Sequence, residues 1–299
     1  KHARTYSARG NALDSKGDTA RATADLDEAI RLEPNAERYC DRAEVWISAV
    51  EYDKAIADYD RAISLDARAS RPHTGRGFVW LNKGDVSKAI AEHDEAVRLE
   101  PGKADAYLGR GNAYKDSGQY DRALADYNEA IRLAPKEPSH YSTRGDLWNE
   151  KTDFDRAMAD YDKSISIDPR HADGYAGRAV IWRERDQLDR GLAELKEALR
   201  LQPKNSHFVG SLAAFYNEKG ENEQAIATYN EALALNPKNA LVRGNRGLVW
   251  VDLGDYDRAM ADYDEAIRIN PRLNKSYSNR GELWRLKGED EEREKAGAF

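Results

Sequence analysis

The chain has 299 residues, 34% of them charged, and a formal net charge of −7. That balance argues against general nucleic-acid affinity, which needs clustered Lys and Arg. No apolar run approaches the roughly 18 residues of a membrane span, and the one cysteine, Cys40, cannot form an internal disulfide.

Length alone suggests two domains, but a 34-residue period overrides that prior. Pro34 opens a row continued by Pro101, Pro135, Pro169, Pro203, Pro237 and Pro271, with Ala67 in the slot that lacks proline. A small residue follows each marker: Ala43, Gly77, Gly111, Gly145, Ala179, Ala213, Gly247 and Gly281. Such a chain is expected to form one array over 1–299, each unit burying its apolar face on its neighbours. The unit Ala104–Glu137 shows the plan. Ala104–Ser117 carries Tyr107, Gly111 and Tyr114 at helical spacing, and Gly118 breaks the helix. Gln119–Ala134 carries Tyr120, Ala123, Leu124, Tyr127, Ala130 and Ile131, and Pro135 stops it. Each unit is therefore expected to be two antiparallel helices, A and B, joined by a tight turn.

A small residue, an aromatic three later, then Ala, aromatic and Pro at fixed offsets resembles the tetratricopeptide repeat. With the small residue set as position 8, full repeats begin at 3, 36, 70, 104, 138, 172, 206 and 240, and a partial ninth with a C-terminal cap spans 274–299. The stretch Glu289–Lys295 is expected to be a shortened helix B or a soluble cap. The resemblance implies an all-α, right-handed superhelical solenoid of stacked helix-turn-helix repeats. The phrase over Gly254–Arg268 resembles many bacterial members. All six tryptophans, Trp46, Trp80, Trp148, Trp182, Trp250 and Trp284, stand at position 11, where core packing is the expectation. Asp186 in place of a turn glycine, Gly191 in place of a fixed alanine and Asn222 in place of an aromatic mark an expected weak stretch.

Position 7 is Arg in all copies but the seventh, and position 23 is acidic in seven. The pairs are Arg42 with Asp58, Arg76 with Glu92, Arg110 with Asp126, Arg144 with Asp160, Arg178 with Glu194 and Arg246 with Asp262, besides Arg9 with Asp25. In the seventh repeat both change together, to Leu212 and Thr228. A partly buried Arg–carboxylate bridge within each repeat accounts for the joint change, because losing one partner of a buried pair is costly and losing both can be near neutral.

The resemblance also implies that ligands lie along the face made by positions 2, 5, 9, 12 and 13 of helix A. Among the residues at these positions, Phe78, Leu81, Asn112, Lys115, Asp146, Asn149, Val180, Arg183, Asn217, Leu248 and Val251 are candidate groove residues; Cys40 falls there too. Acids outnumber bases on this face, so the expected partner is a protein or peptide with basic and apolar residues. The carboxylate clamp of chaperone-binding members, with Lys at position 5 and Arg at position 6, is absent. No His-x₃₋₅-His pair occurs, and Gly109–Gly111 lies inside a helix without a preceding strand. No catalytic, cofactor-binding or metal-binding residue is therefore expected. The functional expectation is an interaction scaffold, with a regulatory or sensor arm of a larger protein as the alternative. Because the chain begins at Lys1, a fragment or processed form is expected, soluble and either cytoplasmic or exported.

Overall fold

A computed structural model of the chain describes residues 2–271 and 273–297, with side chains as far as residue 288. Every regular element among these residues is an α-helix. In chain order they are α1 (His2–Asp14), α2 (Thr19–Leu32), α3 (Ala36–Ser48), α4 (Tyr52–Leu65), α5 (Arg71–Asn82), α6 (Val86–Leu99), α7 (Ala104–Asp116), α8 (Tyr120–Leu133) and α9 (Pro138–Glu150). They continue as α10 (Phe154–Ile167), α11 (Ala172–Glu184), α12 (Leu188–Leu201), α13 (Ser206–Glu218), α14 (Asn222–Leu235), α15 (Ala240–Asp252), α16 (Tyr256–Ile269) and α17 (Asn274–Gly297). No helix among the described residues is long and apolar enough to cross a membrane. The chain divides into two compact units, Lys1–Leu147 and Trp148–Phe299, and the division falls within α9.

Each odd-numbered helix from α1 to α15 is a helix A, and the next is its helix B. The turn between them is a Schellman motif. Position 15 adopts the left-handed conformation at Gly17, Gly84, Gly118, Gly220 and Gly254, and also at Val50, Thr152 and Asp186. The amide of position 16 then bonds back to the carbonyl of position 11, as Gln119 does to Tyr114 at 2.8 Å and Asp255 to Trp250 at 2.8 Å. Position 16 also starts helix B. Asp18, Asp85, Asp153 and Asp255 each accept a hydrogen bond from the backbone amide three residues on.

The core of each repeat is small-large-small on helix B. Ala123, Tyr127 and Ala130 are fully buried, and so are Ala259, Tyr263 and Ala266. The large residue at position 24 lies against the small residue at position 8 of its own helix A. A Cβ on Gly111 would stand 2.6 Å from Tyr127 Cε1, and one on Gly247 2.6 Å from Tyr263 Cε1. Glycine is needed there for close approach, not for its backbone freedom.

The ninth repeat departs from the plan. Gly288 stands where the turn would fall, yet α17 runs on through it to Gly297 without a break among the described residues. Residues 298 and 299 lie outside the described residues.

Candidate functional site

In the first unit, helices α3, α5 and α7 enclose a cleft of about 650 Å³. Phe78 and Ile47 supply its apolar walls, and Glu44, Arg71, Lys103 and Asp105 its charges. The cleft exists because positions 5 and 6 are small there. Thr74 and Gly75 leave the Tyr59 ring as the floor, and a Cβ on Gly75 would stand 2.3 Å from the Tyr59 hydroxyl. Arg71 Nη2 donates to Asp41 and to Glu44, both at 2.8 Å, and so fixes the rim. Phe78 is 48% exposed although it is a large apolar side chain. Cys40, expected on this face, is instead buried in the Ala43–Tyr59–Val79 cluster, and burial pushes its thiol pKa up to about 12. It is a core residue and a poor nucleophile.

In the second unit, α11, α13, α15 and the start of α17 enclose a cleft of about 370 Å³ that brings together Val180, Arg183, Asn217 and Leu248. His207, Leu241, Asn245 and Lys275 complete its polar and apolar lining. Arg183 Nε lies 3.5 Å from Glu218, whose carboxyl is pushed upward by burial. The Asn217 side-chain oxygen is buried without a hydrogen-bond partner. Arg183 and Lys275 outnumber the single lining carboxylate, Glu218. This cleft is therefore cationic, although acids outnumber bases along the helix-A face taken as a whole.

The other candidates line neither cleft. Asn112 accepts a hydrogen bond from the Tyr127 hydroxyl at 2.8 Å, which ties it to the core. Val251 packs on the Ala259–Tyr263–Leu283 cluster. Leu81, Lys115 and Asn149 are half-buried, and Asp146 is exposed. Sequence reasoning passes over Gly75 and Gly210, the position-6 and position-5 glycines that line the two clefts. The signal available was a glycine away from the fixed position 8.

The charge ladder connects repeats as well as helices. Arg110 Nε and Nη2 each donate to Asp126 at 2.8 Å, and Arg246 makes the same two-pronged bond to Asp262 at 2.7 and 2.6 Å. Arg42 bonds Asp58 at 2.8 and 2.5 Å, Arg76 bonds Glu92 at 2.9 Å, and Arg178 bonds Glu194 at 2.7 Å. Asp160 is buried. The third nitrogen of each arginine reaches back to position 25 of the preceding repeat. Arg110 bonds Asp94 at 2.8 Å, Arg144 bonds Asn128 at 2.6 Å, Arg178 bonds Asp162 at 2.8 Å and Arg246 bonds Asn230 at 2.5 Å. The sequence-based expectation of pairing only within a repeat is thus incomplete. Lys196 is the one basic residue at position 25, and it precedes Leu212, the one position 7 that is not Arg.

Most position-11 aromatics are half-buried, with Trp46, Tyr114, Tyr216 and Trp250 packed on core clusters, and Trp148 is buried. A position-19 cation covers most of them: Lys54 lies 4.5 Å from the Trp46 ring, Lys88 4.1 Å from Trp80, and Arg156 4.7 Å from Trp148. Trp284 differs, being 63% exposed.

Tetratricopeptide repeat family models match residues 7–72, 104–137, 141–171 and 240–273, and a further TPR repeat model matches 215–251. The chain belongs to the tetratricopeptide repeat family. No curated protein matches the sequence. Among solved structures, the Cut9–Hcn1 hetero-tetramer of the APC/C is similar over 89% of this chain and 52% of that one, at 16% identity and a TM-score of 0.68. The chain thus spans about half the length of that relative. A tetratricopeptide repeat protein from Parabacteroides merdae is similar over 83% of this chain and 98% of that one, at 17% identity and a TM-score of 0.65. The human IFIT1 dimer with PPP-AAAA is similar over 92% of this chain and 72% of that one, at 15% identity and a TM-score of 0.69. These likenesses establish the fold, and the family supports a protein-interaction scaffold in general terms.

Proposed function

We propose that the chain is a scaffold whose helix-A faces bind extended segments of partner proteins. The observation that carries this reading is the pair of clefts on consecutive A helices, each with an exposed apolar side chain at position 9: Phe78 in one and Leu248, 40% exposed, in the other. Exposed apolar residues set among charges suit an extended peptide with a few apolar anchors. The first cleft, with Glu44, Glu100 and Asp105 against Arg71 and Lys103, favours a segment with a basic residue beside its anchor. The second, with Arg183 and Lys275, favours an acidic one.

The test is selection of binders from a random peptide library on the intact chain, followed by titration. Binders of the first cleft should lose affinity for Phe78→Ala, and binders of the second for Leu248→Ala, while the helical signal of both variants is unchanged. Selected peptides that bind both variants as well as the parent would refute the reading.

A further inference from the structure

We propose that the first cleft is a receptacle for one long basic side chain, Lys or Arg, of a bound partner segment, with Tyr59, Ser70 and Asp105 as the groups that receive it. The inference rests on the reading of the helix-A clefts as peptide sites, and it adds which group enters the cleft and which residues select it.

Two hydroxyls in this cleft have no hydrogen-bond partner among the described residues, although the residues that carry them are buried. Tyr59 is 1% and Ser70 6% exposed, and both line the cleft. Their counterparts in other repeats are satisfied by the chain itself. Tyr127, which matches Tyr59, donates to Asn112 at 2.8 Å, and Ser206, which matches Ser70, donates to the Ala232 carbonyl at 2.9 Å. Glu44 holds the position of Asn112 beside Tyr59, but Arg71 engages it by two bonds, at 2.8 and 3.1 Å. Ser70 precedes α5 without capping it. Neither hydroxyl is sealed from the cleft, unlike that of Tyr263, which is enclosed without a partner. A buried hydroxyl left unpaired costs free energy, and here two open onto one space.

The charges around them select a cation. Arg71 is spent on Asp41 and Glu44, and Lys103 lies 3.7 Å from Glu100. Asp105 has no ion pair or hydrogen bond among the described residues, so the uncommitted charge of the cleft is a carboxylate. Neutral hydroxyls serve a cation through their lone pairs. Burial raises the Tyr59 hydroxyl further above the ordinary phenol range, so it stays neutral. Phe78 and Ile47 line the same cleft and suit the apolar stem of a Lys or Arg. An acidic side chain would instead meet Glu44, Glu100 and Asp105, and an all-apolar one would leave both hydroxyls unpaired.

The probes are peptides selected on the intact chain from a random library, resynthesised, and sorted by loss of binding to Phe78→Ala, which marks first-cleft binders. These peptides are expected to share a Lys or Arg. Replacing it by norleucine or citrulline, which keeps the stem and removes the charge, should weaken binding by about tenfold. Asp105→Asn in the chain should weaken the parent peptide by about tenfold as well, and Tyr59→Phe and Ser70→Ala by about threefold each, with the helical signal unchanged. Tyr127→Phe, outside the cleft, should leave binding as it is. Against the Asp105→Asn chain the uncharged peptide should lose much less, because the two changes remove the same contact. The lysine and arginine forms of one peptide are both measured, and the tighter names the source of the charge. First-cleft binders without a basic residue, or binders unmoved by all three cleft variants, would overturn the inference while leaving the peptide reading intact. A library that yields no Phe78-dependent binder would overturn both.

Discussion

Val50, Thr152 and Asp186 hold left-handed backbone at φ of 62°, 59° and 56°, in the register where five other turns use glycine. For a side chain with a Cβ this conformation costs about 1–2 kcal/mol. Val50 is 59% exposed, so little packing would be lost with it. Val50→Gly and Thr152→Gly should each raise stability by about 1 kcal/mol after the entropy cost of glycine is counted. Denaturant midpoints check this, and unchanged midpoints would show that the turns are already relaxed. Asp186 is legible in the sequence as a missing glycine, and Val50 and Thr152 occupy the same register. Their apolar and β-branched character obscures them, because nothing in the residue type favours that turn. His93 is a second strained choice. It replaces the usual tyrosine, packs between Gly77 and Gly109, and has no partner for either ring nitrogen. Burial lowers its pKa from 6.5 to about 4, with Glu92 and Asp94 opposing and Arg110 assisting. The unfolded chain therefore binds the proton first. Stability from the neutral ring is complete above about pH 6.5 and is lost as pH falls toward about 4, by about 3 kcal/mol at most. His93→Leu, which copies Leu26 and Leu195 at the same position, should flatten that acid limb. An identical pH slope in the variant would contradict the assignment.

At the scale of helices, the position-7 arginine joins three elements: its own A helix, its own B helix and the preceding B helix. Asp126 is 8% and Arg110 18% exposed on their side chains, so desolvation is substantial. Arg110→Leu alone should cost about 3 kcal/mol by stranding Asp126. Adding Asp126→Thr should recover most of that loss, since Leu212 and Thr228 already coexist in the seventh repeat. A double-mutant cycle by denaturant unfolding measures the coupling, and a value near zero would contradict the clamp. The joint change makes the pair within a repeat visible from sequence. The backward bond is harder to see, because Asp and Asn alternate at position 25 and only Lys196 betrays the dependence. The junction of the sixth and seventh repeats shows what stands at one position of the expected weak stretch. Gly191 is not merely a lost alanine, for Phe215 fills its space: a Cβ there would stand 2.6 Å from the ring and 2.9 Å from the Ala179 carbonyl. Pattern alone cannot show such an exchange of volume between positions 10 and 20, because it compares residues within a column and not across columns.

At the scale of the molecule, the repeat plan is legible from proline and glycine spacing because each marks a turn or helix end that steric rules impose. The polarity of the two helix-A clefts is not. The net charge of −7 averages over a first cleft rimmed by carboxylates and a second lined by Arg183 and Lys275. Counting charges along helix A cannot separate these, since the cleft boundaries depend on which positions are small enough to leave a floor open. Continuous helix through Gly288 is likewise invisible in a sequence that otherwise continues the period. The central claim is that partners are held by helix-A faces. It is tested most directly by amide hydrogen exchange of the chain with and without a library-selected peptide. The account predicts slowed exchange confined to the segments of one cleft, either α3, α5 and α7 or α11, α13 and α15. Slowed exchange confined instead to the B helices α4, α6, α8, α12, α14 or α16 would contradict it.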